Sequence, residues 1–281
     1  MIETLPSLFA LGVVLLLTGV LAGFAAGLLG VGGGIVIVPI LFTAFDLLGI
    51  DSSVNMHMAI GTSLATIIPT SIASTVSHNR AGAVDWDLFK AWFLWIFFGC
   101  LIGTWVANAV FDGSALVTVF GCIALVIAID LVVRDRGIRD TLTSQRSSSS
   151  WLYKSYKVFA VPASIGALSS MMGIGGGTLS VPFLNALKFP MHKAVGTSAG
   201  FGLVIALPAT TGYVLGGWDV AQRPEGSLGY ISIYGFILIT MTSTLSARFG
   251  AQIAHRLSEK ALKLSFAGFL FITAARMLLA G

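Results

Sequence analysis

Two glycine triplets, Gly32 to Gly34 and Gly175 to Gly177, and two hydroxyl pairs, Thr62-Ser63 and Thr197-Ser198, have the types and spacing that could do chemistry in this chain. That chemistry is the binding of a small anion. Each glycine in a run of three destabilises a helix by about 1 kcal/mol relative to alanine, so each triplet is expected to interrupt one. The helices that restart at Ile35 and Thr178 would present backbone N–H groups and a partial positive charge at their first turns. A helix end of this kind attracts an oxyanion. The hydroxyls of Thr62, Ser63, Thr197 and Ser198 can donate to the same ligand without introducing a charge that must be desolvated. Back-bonding to a helical carbonyl and bonding between helices are their structural alternatives.

These residues come as two ordered blocks that occur twice. GLLGVGGGIVIVP from Gly27 to Pro39 returns as SMMGIGGGTLSVP from Ser170 to Pro182, and HMAIGTS from His57 to Ser63 returns as HKAVGTS from His192 to Ser198. The interval between the blocks is eight residues longer in the first copy. Two blocks repeating in the same order indicate duplication rather than compositional bias.

The elements that position them must lie in a bilayer. With 56% apolar and 10% charged residues and a mean hydropathy of +0.92, the chain has too little polar surface for a water-soluble domain of its size. The opening MIETLPS carries Glu3 and no Lys or Arg, so the first apolar stretch is expected to be a retained span rather than a secretion signal.

A hydrocarbon core of about 30 Å needs about 20 helical residues. Candidate spans are 7–29, 57–76, 90–110, 115–133, 156–173, 194–215, 229–247 and 264–280, with two shorter apolar pieces, 34–50 and 178–189, each starting at a triplet and carrying Pro39 or Pro182. Each triplet and its short piece should form a hairpin that turns back toward the side it came from. The first repeat, 1–133, then holds hairpin 7–50 and spans 57–76, 90–110 and 115–133; residues 134–155 form a linker. The second repeat, 156–281, holds hairpin 156–189 and spans 194–215, 229–247 and 264–280. An even-crossing hairpin plus three spans is an odd total, so the expected fold is all-α with two repeats of inverted topology.

Charge gives the orientation, because cytoplasmic loops carry the excess of Lys and Arg. With both termini periplasmic, fourteen of the sixteen basic residues are cytoplasmic, including those of linker 134–155. Arg223 and Arg276 are the exceptions. The expected location is multi-pass in the inner membrane.

Other residues have plainer explanations. The GxxxG pairs Gly23/Gly27 and Gly99/Gly103 are expected to pack helices closely, and exposed faces of this kind would allow a homodimer. Cys100 and Cys122 are expected to pack rather than bind metal. Trp86, Trp92, Trp95 and Trp151 fall at expected interfaces as anchors. His57 and His192 are read as helix-entry or gating residues and Pro39 and Pro182 as structural. Arg80 stands where it could draw an anion into a cytoplasmic vestibule, although a topological charge is its simpler role. Asp130 and Arg276 lie within expected spans, toward their ends, where snorkelling competes with a proton relay.

The candidate substrate-binding set is therefore Gly32, Gly33, Gly34, Thr62, Ser63, Gly175, Gly176, Gly177, Thr178, Thr197 and Ser198. No catalytic motif, metal-ligand spacing or nucleotide-binding GK[ST] accompanies it. Neither an enzyme nor a sensor with a soluble output domain is indicated, and no cofactor, metal or nucleic acid is expected.

Gly30, Gly32 to Gly34, Pro39 and Gly61 to Ser63, with Gly173, Gly175 to Gly177, Pro182 and Gly196 to Ser198, resemble the sulfite exporter TauE/SafE family in both halves. The stretch HNRAGAVDW from His78 to Trp86 is similar to the family as well. The resemblance implies secondary transport of small sulfur-containing anions such as sulfite, sulfoacetate or related sulfonates, with export as the expected direction. A carboxylate permease for a glycolate-like anion and an anion channel are the alternatives. Proton coupling and oligomeric state stay open.

Overall fold

The computed structural model describes residues 4–29, 32–137, 159–187, 189–253 and 259–280. Ten helices occur among them. They are α1 (Thr4–Leu29), α2 (Gly34–Leu47), α3 (Ser52–Arg80), α4 (Trp86–Ala109), α5 (Gly113–Gly137), α6 (Ala160–Met172), α7 (Gly177–Ala186), α8 (Met191–Gly216), α9 (Ile233–Ile253) and α10 (Glu259–Ala280). A two-stranded antiparallel ribbon, β1 (Ser227–Leu228) and β2 (Ile231–Ser232), precedes α9. Most of linker 134–155, with Trp151 and Lys188, lies outside the described residues.

Three helices, Ser52–Arg80, Trp86–Ala109 and His192–Gly216, are long and apolar enough to cross a membrane. Shorter apolar helices include Gly34–Leu47 and Ala160–Met172. The apolar exterior matches: Leu21, Ile102, Trp105, Val126, Leu215, Met241 and Leu279 are exposed, while Thr62, Ser63, Thr66, Thr178, Ser180, Thr197 and Ser198 are fully buried. A surface this apolar around a hydroxyl-rich interior suits lipid, not water.

Both expected interruptions are present. Helix α1 ends at Leu29 and α2 begins at Gly34; α6 ends at Met172 and α7 begins at Gly177. Gly32 and Gly33 hold φ of 74° and 76°, and Gly173 closes α6 at φ 66°. A side chain resists that left-handed region, so glycine makes these corners. Helices α2, α6 and α7 have 14, 13 and 10 residues, or about 21, 20 and 15 Å of rise. None of the three spans a hydrocarbon core alone.

One boundary and one anchor differ from expectation. Helix α3 starts at Ser52, five residues before His57, because Asp51 caps it by accepting from the Ser53 N–H at 2.8 Å. Thr62 therefore sits about 15 Å along its helix, deeper than a start at His57 implies. Trp92 is not an interfacial anchor: it is fully buried and stacks on Phe201 at 5.7 Å. Trp86 is nearly half exposed, as an anchor should be.

Packing partners exchange between the halves. Helix α1 packs on α9 and α4 on α6; α3 also packs on α9 and α8 on α4; α3 meets α8, and α5 meets α10. Glycine makes the closest of these crossings. A β-carbon on Gly23 or Gly27 would collide with backbone at Ser243 or Ala247 of α9, and one on Gly99 or Gly103 with backbone at Ala163 or Ala167 of α6. Both GxxxG pairs are thus used inside the chain and are not free faces for a dimer. Cys100 is buried with Sγ donating to the Ile205 carbonyl at 3.2 Å; Cys122 is exposed, and both thiols are free.

Candidate functional site

The two interruptions meet. A β-carbon on Gly32 would stand 2.9 Å from Gly175 Cα, and one on Gly34 would overlap the Gly173 carbonyl oxygen. On the other side, a β-carbon on Gly176 would lie 2.8 Å from Phe201 Cβ in α8. Ile67 of α3 joins the contact, its Cγ2 3.4 Å from the Gly32 position. The triplets are therefore the crossing point of the two halves, and side chains are excluded from it by backbone on backbone.

Helices α2 and α7 both start with glycine at the N-cap, Gly33 and Gly176, and neither cap carries a side-chain hydrogen bond. Helices α3 and α4, in contrast, are capped by Asp51 and Asp85. The Gly33 carbonyl accepts from Val36 and Ile37, and the Gly176 carbonyl from the Ser180 N–H at 3.0 Å and the Ser180 hydroxyl at 2.6 Å. Ser180 Oγ also bonds Ser198 Oγ at 2.6 Å. Thr178, two residues beyond the Gly176 cap, is fully buried and its hydroxyl has no hydrogen-bond partner. Where the second copy has Thr178 and Ser180, the first has Ile35 and Ile37. The polar groups beside the crossing are concentrated in α7 and α8.

The hydroxyl pairs fall into two kinds. Ser63 Oγ donates to the Gly173 carbonyl at 2.7 Å, and Ser198 holds Ser180, so both serines sit at the interruptions. The threonines instead reach across to the other half. Thr62 Oγ1 accepts the Ser232 N–H at 2.9 Å, and Thr197 Oγ1 accepts the Asp85 N–H at 2.9 Å. Beside each, the preceding glycine receives a carbonyl: Gly61 that of Tyr230 and Gly196 that of Ala83. The accepting and approaching segments match. Gly82-Ala83-Val84-Asp85 and Gly229-Tyr230-Ile231-Ser232 each begin with a positive-φ glycine and end at a residue whose side chain caps the next helix. The sequence signal was a glycine three residues before Asp or Ser at both helix entries, too sparse to notice without the contacts.

The remaining candidates lie further out. His57 is buried, with Nε2 3.1 Å from the Ala107 carbonyl and its ring stacked on Tyr230 at 4.9 Å. His192 is exposed near the start of α8, and Lys193 next to it pairs with Asp85 at 3.9 Å. Arg80 is exposed at the end of α3, and Arg276 is exposed on α10. Pro39 and Pro182 lie inside α2 and α7, five residues past their first glycines.

A family profile described as Sulfite exporter TauE/SafE matches residues 15–277. The chain belongs to that family. A probable membrane transporter protein of Haemophilus influenzae is 34% identical over 268 residues, covering 94% of this chain and 97% of that protein. The probable membrane transporter protein YunE of Bacillus subtilis is 28% identical, with 89% and 91% covered. A probable membrane transporter protein of Methanocaldococcus jannaschii is 28% identical, with 94% of each covered. No solved structure matches. TauE/SafE membership puts the chain among membrane transporters rather than enzymes.

Proposed function

We propose that this protein is a secondary transporter of the inner membrane that exports small sulfur-containing anions, such as sulfite, sulfoacetate or related sulfonates. The observation that carries the reading is the buried, unpartnered Thr178 hydroxyl in the first turn of α7, beside the point where the two interrupted helices meet. Helix ends and hydroxyl donors together suit an oxyanion. The substrate-binding residues are the two triplets, Thr178, Ser63 and Ser198, with Thr62 and Thr197 acting on the site through the segments they hold. The sulfur chemistry rests on the family description alone.

Two inverted repeats would give such a site two alternative exits. The exchange of helix partners supports a two-fold relation, and an odd number of crossings in each half would make that relation inverted. The basic-residue bias supports periplasmic termini, with the Arg80 end of α3 in the cytoplasm. A negative-inside potential favours expulsion of a monovalent anion by about 2.3 kcal/mol per 100 mV, so export needs no acidic coupling residue.

The test is flux of sulfite, sulfoacetate, taurine, thiosulfate, sulfate and glycolate in proteoliposomes. Saturable movement of a sulfur anion is expected. Preference for glycolate would make the protein a carboxylate permease, non-saturating flux would make it a channel, and no flux of any solute would end the reading.

A further inference from the structure

We propose that the face of α3 formed by Ser71, Ser74 and Thr75 is a second anion subsite, the hydroxyl-lined approach from the Arg80 end of the helix to the crossing point. It rests on the anion-transport reading above and adds a route to it.

Ser71 and Ser74 are 1% and 2% exposed, Thr75 is half-buried, and none of the three hydroxyl oxygens has a hydrogen-bond partner. Buried hydroxyls normally find one. On the preceding turns of the same helix they do: Thr66 Oγ1 donates to the Ser63 carbonyl at 2.7 Å and Thr70 Oγ1 to the Thr66 carbonyl. The change from satisfied to unsatisfied occurs at Ser71, beside Gly202 of α8. A β-carbon on Gly202 of α8 would run into Ser71 Oγ, and one on Gly200 would stand 3.9 Å from Thr75 Cγ2.

Gly202 ties this face to the crossing. Its backbone nitrogen is 3.1 Å from where a Gly176 β-carbon would be, and its own β-carbon position is 3.8 Å from Ile67, which in turn touches Gly32 and Gly34. From there Ser71, Ser74, Thr75 and His78 follow at helical spacing i, i+3, i+4 and i+7, one side of α3. They cover about 10 Å from Ser71 to His78, two residues short of Arg80. His78 is held by a 3.0 Å contact from Nε2 to the Gly27 carbonyl.

The matching positions of α8, aligned on the repeated HxAxGTS block, are Ala206, Ala209, Thr210 and Tyr213. Ala206, Ala209 and Tyr213 are fully buried. Thr210 is the single aliphatic hydroxyl there, so the approach toward the far side is mostly apolar. Donors without acceptors suit a ligand rich in acceptor oxygens, and sulfonates and sulfite are such ligands.

Single Ser71→Cys, Ser74→Cys and Thr75→Cys variants, made with Cys122→Ala, test the route in proteoliposomes. Each is treated from either side with anionic sulfonatoethyl or cationic trimethylammonioethyl methanethiosulfonate, with Asp87→Cys as an exposed reference. The anionic reagent is expected to modify all three cysteines, with an anion-to-cation rate ratio about tenfold above that at the reference, and excess sulfoacetate should slow it. A tenfold ratio corresponds to about 1.4 kcal/mol of charge preference. Ser74→Ala should lower sulfoacetate flux about fivefold, one hydrogen bond's worth.

Cysteines that resist both reagents from both sides, in a chain whose flux is intact, overturn the subsite and leave the transport reading standing. Equal modification by the two reagents overturns it as well, since it shows a wet crevice without anion preference. A chain that moves none of the solutes sinks the transport reading itself and this route with it.

Discussion

Thr197 accepts the backbone N–H of Asp85 at 2.9 Å, and its counterpart Thr62 accepts that of Ser232 at the same distance. Each bond ties the third helix of one half to the N-cap of the fourth helix of the other. Both donors are half-buried amides, which are costly to leave unpaired. Thr62→Val and Thr197→Val should therefore each destabilise the protein by about 1–3 kcal/mol, read as a fall in thermal midpoint in detergent. Serine at either position should recover most of the loss. Equal behaviour of valine and serine would show that the hydroxyl is not what holds the segment.

Glycine substitutions should divide by what surrounds them. At Gly32, alanine meets both φ of 74° and Gly175 Cα at 2.9 Å; at Gly34 it meets the Gly173 carbonyl. Backbone cannot move aside as a side-chain end can, so loss of folded protein or of several degrees in midpoint is expected. Gly268, helical and with nothing within 4 Å, should respond in the opposite sense, gaining up to about 1 kcal/mol as alanine. Parallel thermal scans of Gly32→Ala, Gly34→Ala and Gly268→Ala check the ordering, and a harmless Gly34→Ala would show that Gly34 does not abut the Gly173 carbonyl.

What the sequence made legible follows from the strength of each physical signal. Three consecutive glycines are a strong local signal, and the helix breaks at both triplets. The GxxxG packing role was legible because small-residue spacing has one main use in a membrane. Helix starts were less so: the cap at Asp51 moves α3 five residues upstream, and hydropathy does not sense a cap. Trp92 departs from its expected place because composition cannot tell a lipid interface from the core, and the stacking partner Phe201 lies 109 residues away in sequence. The division of Thr62 and Thr197 from Ser63 is invisible in sequence for the same reason, since their partners are at Ser232, Asp85 and Gly173, set by tertiary packing alone. Ser71, Ser74 and Thr75 carried a helical-face spacing that could have been noticed, but their lack of partners could not.

The acid side of stability should depend on Asp51. Its carboxylate is held below the ordinary aspartate value by the Ser53 hydroxyl, at 2.6 Å, and then by the Ser53 amide. A depressed folded-state value contributes stability that is present above the unfolded value, about 3.9, and lost as pH falls through the folded one. Asp51→Asn keeps a capping side chain but removes the titration. The variant should lose less of its thermal midpoint than wild type between pH 5 and pH 3, and indistinguishable slopes would assign the acid response to other carboxylates.

Thr178→Val separates a ligand role from a packing role. The hydroxyl makes no hydrogen bond, so replacing it by a methyl of similar shape removes a buried unsatisfied group and should leave stability unchanged or raise it by about 1 kcal/mol. Were the group only structural, flux would follow stability. If it donates to the anion at the start of α7, flux should fall about tenfold through a weaker apparent affinity while the thermal midpoint holds or rises. Thr178→Ser should keep most of the flux, because it keeps the donor. Ser180→Ala makes the contrasting case: it breaks the bonds to the Gly176 carbonyl and Ser198 Oγ, so stability and flux should drop together. A Thr178→Val chain that transports normally would remove the hydroxyl from the site.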